Sequence, residues 1–156
     1  MNTDLKLVID STSSKTTEQI GQTLGGNLRG GEILELISDL GGGKTTFTRG
    51  LVQGLGSKDI VASPTFTVSK VYEAGDITVH HFDFYRLAEP GIMAYDIQDI
   101  IKDPKNIVVI EWADIVRDVL PNKTVKIYFE YSSEMTRKIS ILYNQQQKYI
   151  VKGLLR

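Results

Sequence analysis

The stretch that most restricts the fold is Ser38-Asp39-Leu40-Gly41-Gly42-Gly43-Lys44-Thr45, set between the apolar run Ile33-Leu34-Glu35-Leu36-Ile37 and the helix-compatible segment Thr46 to Leu55. A glycine-rich turn between a buried strand and a helix can aim several backbone N–H groups, with the positive end of the helix dipole, at one polyphosphate. Lys44 adds a point charge for the outer phosphates, and Thr45 offers a hydroxyl where a phosphate-bound Mg²⁺ would sit. A flexible surface loop with a lysine explains neither the three glycines abutting Lys-Thr-Thr nor their place after an apolar strand. The stretch therefore predicts a phosphate-binding loop in its strand-loop-helix setting.

The general pattern G-x-x-x-x-G-K-[ST] has glycine where this chain has Ser38. Were that position left-handed, a non-glycine residue would cost roughly 1–2 kcal/mol. That corresponds to about five- to thirtyfold in binding if all of it appeared there. A blunted nucleotide site is the expectation, with Ser38→Gly tightening it.

At 156 residues and 41% hydrophobic content, the chain is expected to form one compact domain over 1–156 with a sizeable core. Lys and Arg number 18 against 19 Asp and Glu, so a net charge of −1 supplies no general footprint for nucleic acid or an anionic membrane. Cysteine is absent, which excludes disulfides and thiolate metal sites. The start Met1-Asn2-Thr3-Asp4-Leu5-Lys6 lacks the basic and apolar parts of a signal peptide, and no apolar run approaches the roughly 18 residues of a membrane span. A soluble, cytoplasmic protein is expected.

Along the chain, Leu5 to Ile9 reads as an edge strand. Ser11-Thr12-Ser13-Ser14 supplies turn and N-cap oxygens for a helix from about Thr16 to Leu28, whose second half is weakened by Gly21, Gly25 and Gly26. After the loop and its helix, Ala62-Ser63-Pro64-Thr65 leads into a strand that runs through Tyr72 to the turn at Gly75. Ile77 to Phe84 returns. A helix follows over about Met93 to Ile101. Ile107-Val108-Val109-Ile110, apolar without alternation, is the pattern of a central strand covered on both faces, and it runs into Glu111-Trp112. A short helix from Ala113 to Leu120 precedes two alternating segments, Thr124 to Tyr131 and Arg137 to Tyr143, expected as an antiparallel hairpin.

Three clusters can complete the chemistry of the loop. Glu111 falls at the carboxyl end of a buried strand, where open α/β sheets bind ligands, and is the leading Mg²⁺-side carboxylate, direct or through water. Asp83, inside the apolar and aromatic run Val79 to Tyr85, is either a water-orienting acid or one half of a structural pair with Arg86. Thr65 either senses a nucleotide through its hydroxyl or serves its turn. His80 and His81 are adjacent, so they point to opposite faces of a strand and are poorly placed to share a metal.

Together, Asp39-Leu40-Gly41-Gly42-Gly43-Lys44-Thr45-Thr46, Thr48-Arg49-Gly50, Ser63-Pro64-Thr65-Phe66-Thr67, His81-Phe82-Asp83-Phe84-Tyr85-Arg86-Leu87 and Ile110-Glu111-Trp112 resemble the bacterial TsaE (YjeE) family, in the family's order and across most of the chain. The resemblance implies an α/β fold of the P-loop NTPase type, three layers with parallel central strands and antiparallel flanking strands. It implies an ATPase that supports formation of N6-threonylcarbamoyladenosine in tRNA, with ATP and Mg²⁺ as cofactors. TsaD and TsaB would be its partners, with tRNA reached through them. By motif, Lys44 and the backbone of Gly41, Gly42, Gly43, Lys44, Thr45 and Thr46 take the phosphates, Thr45 and Glu111 the Mg²⁺, and Asp83 with Lys44 the hydrolytic step. The Thr65 and Asp83 segments resemble the family's two switches. Ser14 and Arg137 correspond to nucleotide-contacting parts. The departures are Ser38 for the family's glycine, and Gly42 where alanine is usual, which should be harmless.

Other classes use the same loop. A small-molecule kinase usually adds an arginine-bearing lid, whereas six arginines are scattered here. A GTPase would need Asn-Lys-x-Asp, and Asn122-Lys123-Thr124-Val125 lacks the aspartate. A nucleotide-binding scaffold without turnover is the third alternative, with Asp83 and Glu111 against it.

Overall fold

The alternating and apolar runs become strands at the expected places, and the computed structural model describes residues 4–39 and 41–155, so Leu40 of the loop lies outside the described residues. The strands are β1 (Leu5–Ser11), β2 (Ile33–Ile37), β3 (Ser69–Ala74), β4 (Ile77–Asp83), β5 (Asn106–Glu111), β6 (Val125–Tyr131) and β7 (Arg137–Tyr143). They form one sheet in the order β1-β7-β6-β2-β5-β4-β3. The central pairs β6·β2, β2·β5 and β5·β4 are parallel, while β1·β7, β7·β6 and β4·β3 are antiparallel. This is the parallel core with antiparallel flanks that the family resemblance implies. The hairpin register pairs Ile127 with Ile141 and Phe129 with Ile139, so the two apolar rows share one face of the sheet.

Two helices, α1 (Ser14–Asn27) and α2 (Lys44–Gly54), cover that face over Leu34, Leu36, Val109, Ile127 and Ile139. Phe47 of α2 is fully buried there and meets Phe129 edge-on at 5.3 Å. On the other face, helix α3 (Met93–Ile100) and a 3₁₀ helix at Ala113–Val119 cover Ile33, Phe82, Val108 and Ile110. Strand β5 therefore lies between two apolar layers, which accounts for its unbroken hydrophobic run.

Helix α1 starts where its N-cap dictates: the Ser13 side chain accepts from the Thr16 N–H at 3.1 Å. Its glycines do not fray it. A Cβ on Gly21 would lie 2.3 Å from the Phe47 carbonyl oxygen, and one on Gly25 2.1 Å from that of Leu51. Gly50 and Gly54 of α2 answer with equally close approaches to Glu18 and Gln22. The two helices thus cross backbone to backbone. That close crossing offsets the intrinsic cost of glycine in a helix, about 1 kcal/mol per residue. It also fixes the start of α2 relative to the sheet, where the phosphate loop enters it.

Candidate functional site

The loop joins the carboxyl end of β2 to the amino end of α2, and the carboxyl ends of β4 and β5 bring Asp83 and Glu111 beside it as a registered pair. Gly41 and Gly43 have φ of 78° and 96°, so these two positions need glycine for conformation. Ser38 is not left-handed: Val68 and Trp112 are the non-glycine residues with positive φ among those described. The strain expected at Ser38 is therefore corrected, and with it the reason for expecting a weakened site. The departure at Gly42 is also not idle. A Cβ there would lie 2.2 Å from Ser38 Oγ and 2.6 Å from Ser38 Cβ, so Ser38 occupies the room an alanine methyl at 42 would use.

Lys44 is buried at the mouth of the loop. Its Nζ donates to the Ser38 carbonyl at 3.3 Å, faces Glu111 Oε1 at 3.8 Å and lies 4.8 Å from the centre of the Trp112 ring. An ammonium held this loosely by three different acceptors can turn toward an anion without breaking a tight pair. Trp112 stands at φ 56°, ψ 54°, an unfavoured conformation for a bulky residue, and packs on Tyr85 at 5.0 Å.

Asp83 accepts from Thr65 Oγ1 at 2.7 Å and from the Tyr85 N–H at 2.9 Å. It makes no ion pair with Arg86, whose guanidinium instead stacks 4.5 Å from the Phe66 ring centre. The two expected switch segments are thus linked twice, by Thr65 to Asp83 and by Phe66 to Arg86. Ser63 Oγ, 2.7 Å from Thr65 Oγ1, extends the chain of hydroxyls. A carboxylate has about four acceptor sites, so Asp83 can still receive a water.

Gly41 to Thr46, Ser63, Thr65, Asp83, Glu111 and Trp112 line one cavity of about 250 Å³. Beside it, Ser14 and Arg137 meet Gly43 and Thr46 around a smaller hollow of about 70 Å³ with Ser13, Thr17, Glu134 and Met135. Arg137 stacks on Tyr131 at 3.8 Å, and the Tyr131 hydroxyl donates to the Gly41 carbonyl, tying this hollow to the loop. Every site residue expected from sequence is therefore brought to one edge of the sheet. A larger cavity, about 590 Å³, opens at the start of β6 among Arg117, Asn122, Thr124 and Lys126, away from the loop. Convergent chemistry, not size, marks the smaller one.

Sequence reasoning missed Trp112, Tyr131, Ser63 and His81 as parts of the site. Trp112 and Tyr131 act through a backbone twist and a distant loop carbonyl, which leave no mark in spacing. His81 is fully buried, with Nε2 2.6 Å from Glu111 Oε2. Below it, Tyr72 packs on the His81 ring at 6.1 Å, and burial, with the nearby Glu111 carboxylate adding to it, pushes the Tyr72 phenol up from its ordinary value.

A glycine loop between the first parallel strand and its helix, with acids at the ends of the neighbouring strands, defines a P-loop-like α/β protein. Residues 11–139 match the family model described as threonylcarbamoyl adenosine biosynthesis protein TsaE. The chain belongs to the TsaE family. Proteins named tRNA threonylcarbamoyladenosine biosynthesis protein TsaE are similar to it in Bacillus subtilis (31% identity over 83% of this chain and 81% of the relative) and Haemophilus influenzae (36% over 70% and 69%). A third, from Treponema pallidum, is 35% identical over 84% of this chain and 96% of its own. The crystal structure of YdiB from Bacillus subtilis superposes with a TM-score of 0.79 at 26% identity, covering 99% of this chain and 97% of that one.

Proposed function

We propose that the chain is a Mg²⁺-dependent ATPase of N6-threonylcarbamoyladenosine synthesis in tRNA, working with TsaD- and TsaB-like proteins in the cytoplasm. The relatives' shared name supplies the pathway. The observation that carries the chemistry is the convergence of Lys44, Thr45, Thr65, Asp83 and Glu111 on one cavity at the carboxyl ends of β2, β4 and β5.

On this reading the N–H groups from Gly41 to Thr46, with the dipole of α2, hold the β- and γ-phosphates of ATP, and Lys44 neutralises their outer charge. Thr45 and Glu111 would hold the Mg²⁺. One hydroxyl and one carboxylate are hard oxygen donors of the kind this ion takes, with phosphate and water completing its shell. The ion's chemistry would be to offset charge on the phosphates. Asp83 orients the attacking water, with Thr65 and the Tyr85 N–H fixing its carboxylate. Ser14 and Arg137 flank the far side of the nucleotide.

No described helix is long and apolar enough to cross a membrane. A net charge of −1 favours tRNA held by partners, because neutralising several phosphates takes a basic patch. The test is MgATP titration of the parent and Lys44→Ala chains. Lys44→Ala should weaken binding about a hundredfold, as expected for a charge-assisted contact of up to about 3 kcal/mol. Equal affinities would reject the assigned site.

A further inference from the structure

The two oxygens of Glu111 have different neighbours. Oε2 lies 2.6 Å from Nε2 of His81, whereas Oε1 faces the Lys44 ammonium at 3.8 Å, beyond hydrogen-bond length. The strand register explains the reach. His81 on β4 pairs with Val109 on β5, which makes Glu111 its diagonal neighbour on the same side of the sheet. With the Glu111 carboxylate as the acceptor, Nε2 is the donor in this contact. The ring is fully buried and its Nδ1 has no hydrogen-bond partner, so the bond to Glu111 is the ring's one hydrogen bond. Burying an imidazole with one nitrogen unsatisfied is destabilising. An apolar side chain would fill that space beside Tyr72 without the cost.

The geometry points to His81 as a positioning residue: it holds Glu111 by Oε2, keeps Oε1 turned into the cavity, and so stops the carboxylate from closing on Lys44. This rests on the proposed reading, in which Glu111 serves Mg²⁺ and Lys44 the phosphates. The restraint is needed because Lys44 is the nearest cation to Glu111. Released from His81, the carboxylate can rotate and shorten the 3.8 Å separation to a charge-assisted hydrogen bond of about 2.7–2.9 Å. Both groups would then be spent on each other rather than on metal and phosphate. His81 acts on ligands it never touches, as the hydrogen-bond partners of metal-side carboxylates generally do.

The test uses His81→Leu, His81→Asn and His81→Gln in the full chain, with ATP affinity measured in Mg²⁺ and in EDTA. Glutamine can place an amide N–H where Nε2 lies, whereas asparagine reaches only the Nδ1 position. The ratio of the two affinities should fall about tenfold or more in the leucine and asparagine variants. Their metal-free affinity should also drop as Lys44 is captured. His81→Gln should restore both, and adding His81→Leu to Glu111→Gln should change the ratio no further. A folded leucine or asparagine variant with the parent's ratio, whatever its melting temperature, overturns the proposal while leaving the ATPase reading intact. A parent chain whose ATP affinity ignores Mg²⁺ overturns both. Should the leucine and asparagine variants fail to fold, the ¹⁵N spectrum of the parent, assigned against His80→Gln, decides: a proton on Nε2 of His81 that shifts when MgATP is added supports the proposal, and one on Nδ1, or no shift, refutes it.

Discussion

Replacing Gly42 by alanine should damage the loop between β2 and α2 in this chain. The backbone at 42 is not left-handed, so a side chain is permitted in principle. The obstacle is Ser38. The new Cβ would sit 2.2 Å from Ser38 Oγ, which can rotate away by giving up its 2.7 Å hydrogen bond to the Asp39 carbonyl. It would also sit 2.6 Å from Ser38 Cβ, which cannot rotate, so the loop backbone itself must shift. Overpacking of this kind costs about 1–3 kcal/mol. On the proposed reading the displaced groups face the phosphates of ATP, so most of that should appear as an ATP affinity weaker by about five- to a hundredfold. Ser38→Gly alone should not tighten binding, since there is no strain to relieve. Ser38→Gly with Gly42→Ala should return affinity to near the parent's, leaving a coupling energy of about 1 kcal/mol or more between contacting residues. Calorimetric titration of the four proteins with MgATP gives the cycle directly. A Gly42→Ala chain that binds like the parent, or a double variant that is merely the sum of the two, would refute the packing argument.

The two acids should fail differently: Asp83→Asn keeps MgATP binding and loses hydrolysis, whereas Glu111→Gln also shifts the Mg²⁺ dependence, read from turnover across a Mg²⁺ series. Parent-like hydrolysis by both would remove this edge of the sheet from the mechanism. Gly25→Ala, which places a methyl 2.1 Å from the Leu51 carbonyl oxygen, should lower stability by about 1–3 kcal/mol in thermal or urea unfolding despite alanine's better helix propensity.

Much of this was legible in the chain because local rules and the global fold agree. The run Ile107 to Ile110 is apolar on both faces because two helical layers cover β5, and Arg137 to Tyr143 alternates because one face of β7 meets α1 and α2. The glycines of α1 misled for a physical reason: propensity scales price a glycine by its own backbone, and here its value lies in the carbonyl of another helix that approaches it. Ser38 misled similarly. A motif records which residue is usual, whereas the structure shows that Ser38 and Gly42 share one small volume. The cavity's charged groups stand out in the sequence because Asp83 and Glu111 each close an apolar strand and Lys44 follows the glycines at the start of α2. Trp112, Tyr131 and His81 do not, because each works through geometry across the sheet or loop that no sequence spacing encodes.

On the proposed function, ATP turnover at this site serves a modification carried out by partner proteins. The most direct measurement follows threonylcarbamoyl transfer to tRNA over many turnovers by TsaD- and TsaB-like proteins, with parent chain, Lys44→Ala chain or neither, while ATP hydrolysis is recorded in parallel. The parent alone should hydrolyse ATP slowly, and transfer should be sustained by the parent but not by Lys44→Ala. Equal transfer in all three reactions would contradict the proposed function, and ATP-dependent phosphorylation of a small metabolite by the isolated parent would assign the site to a kinase instead.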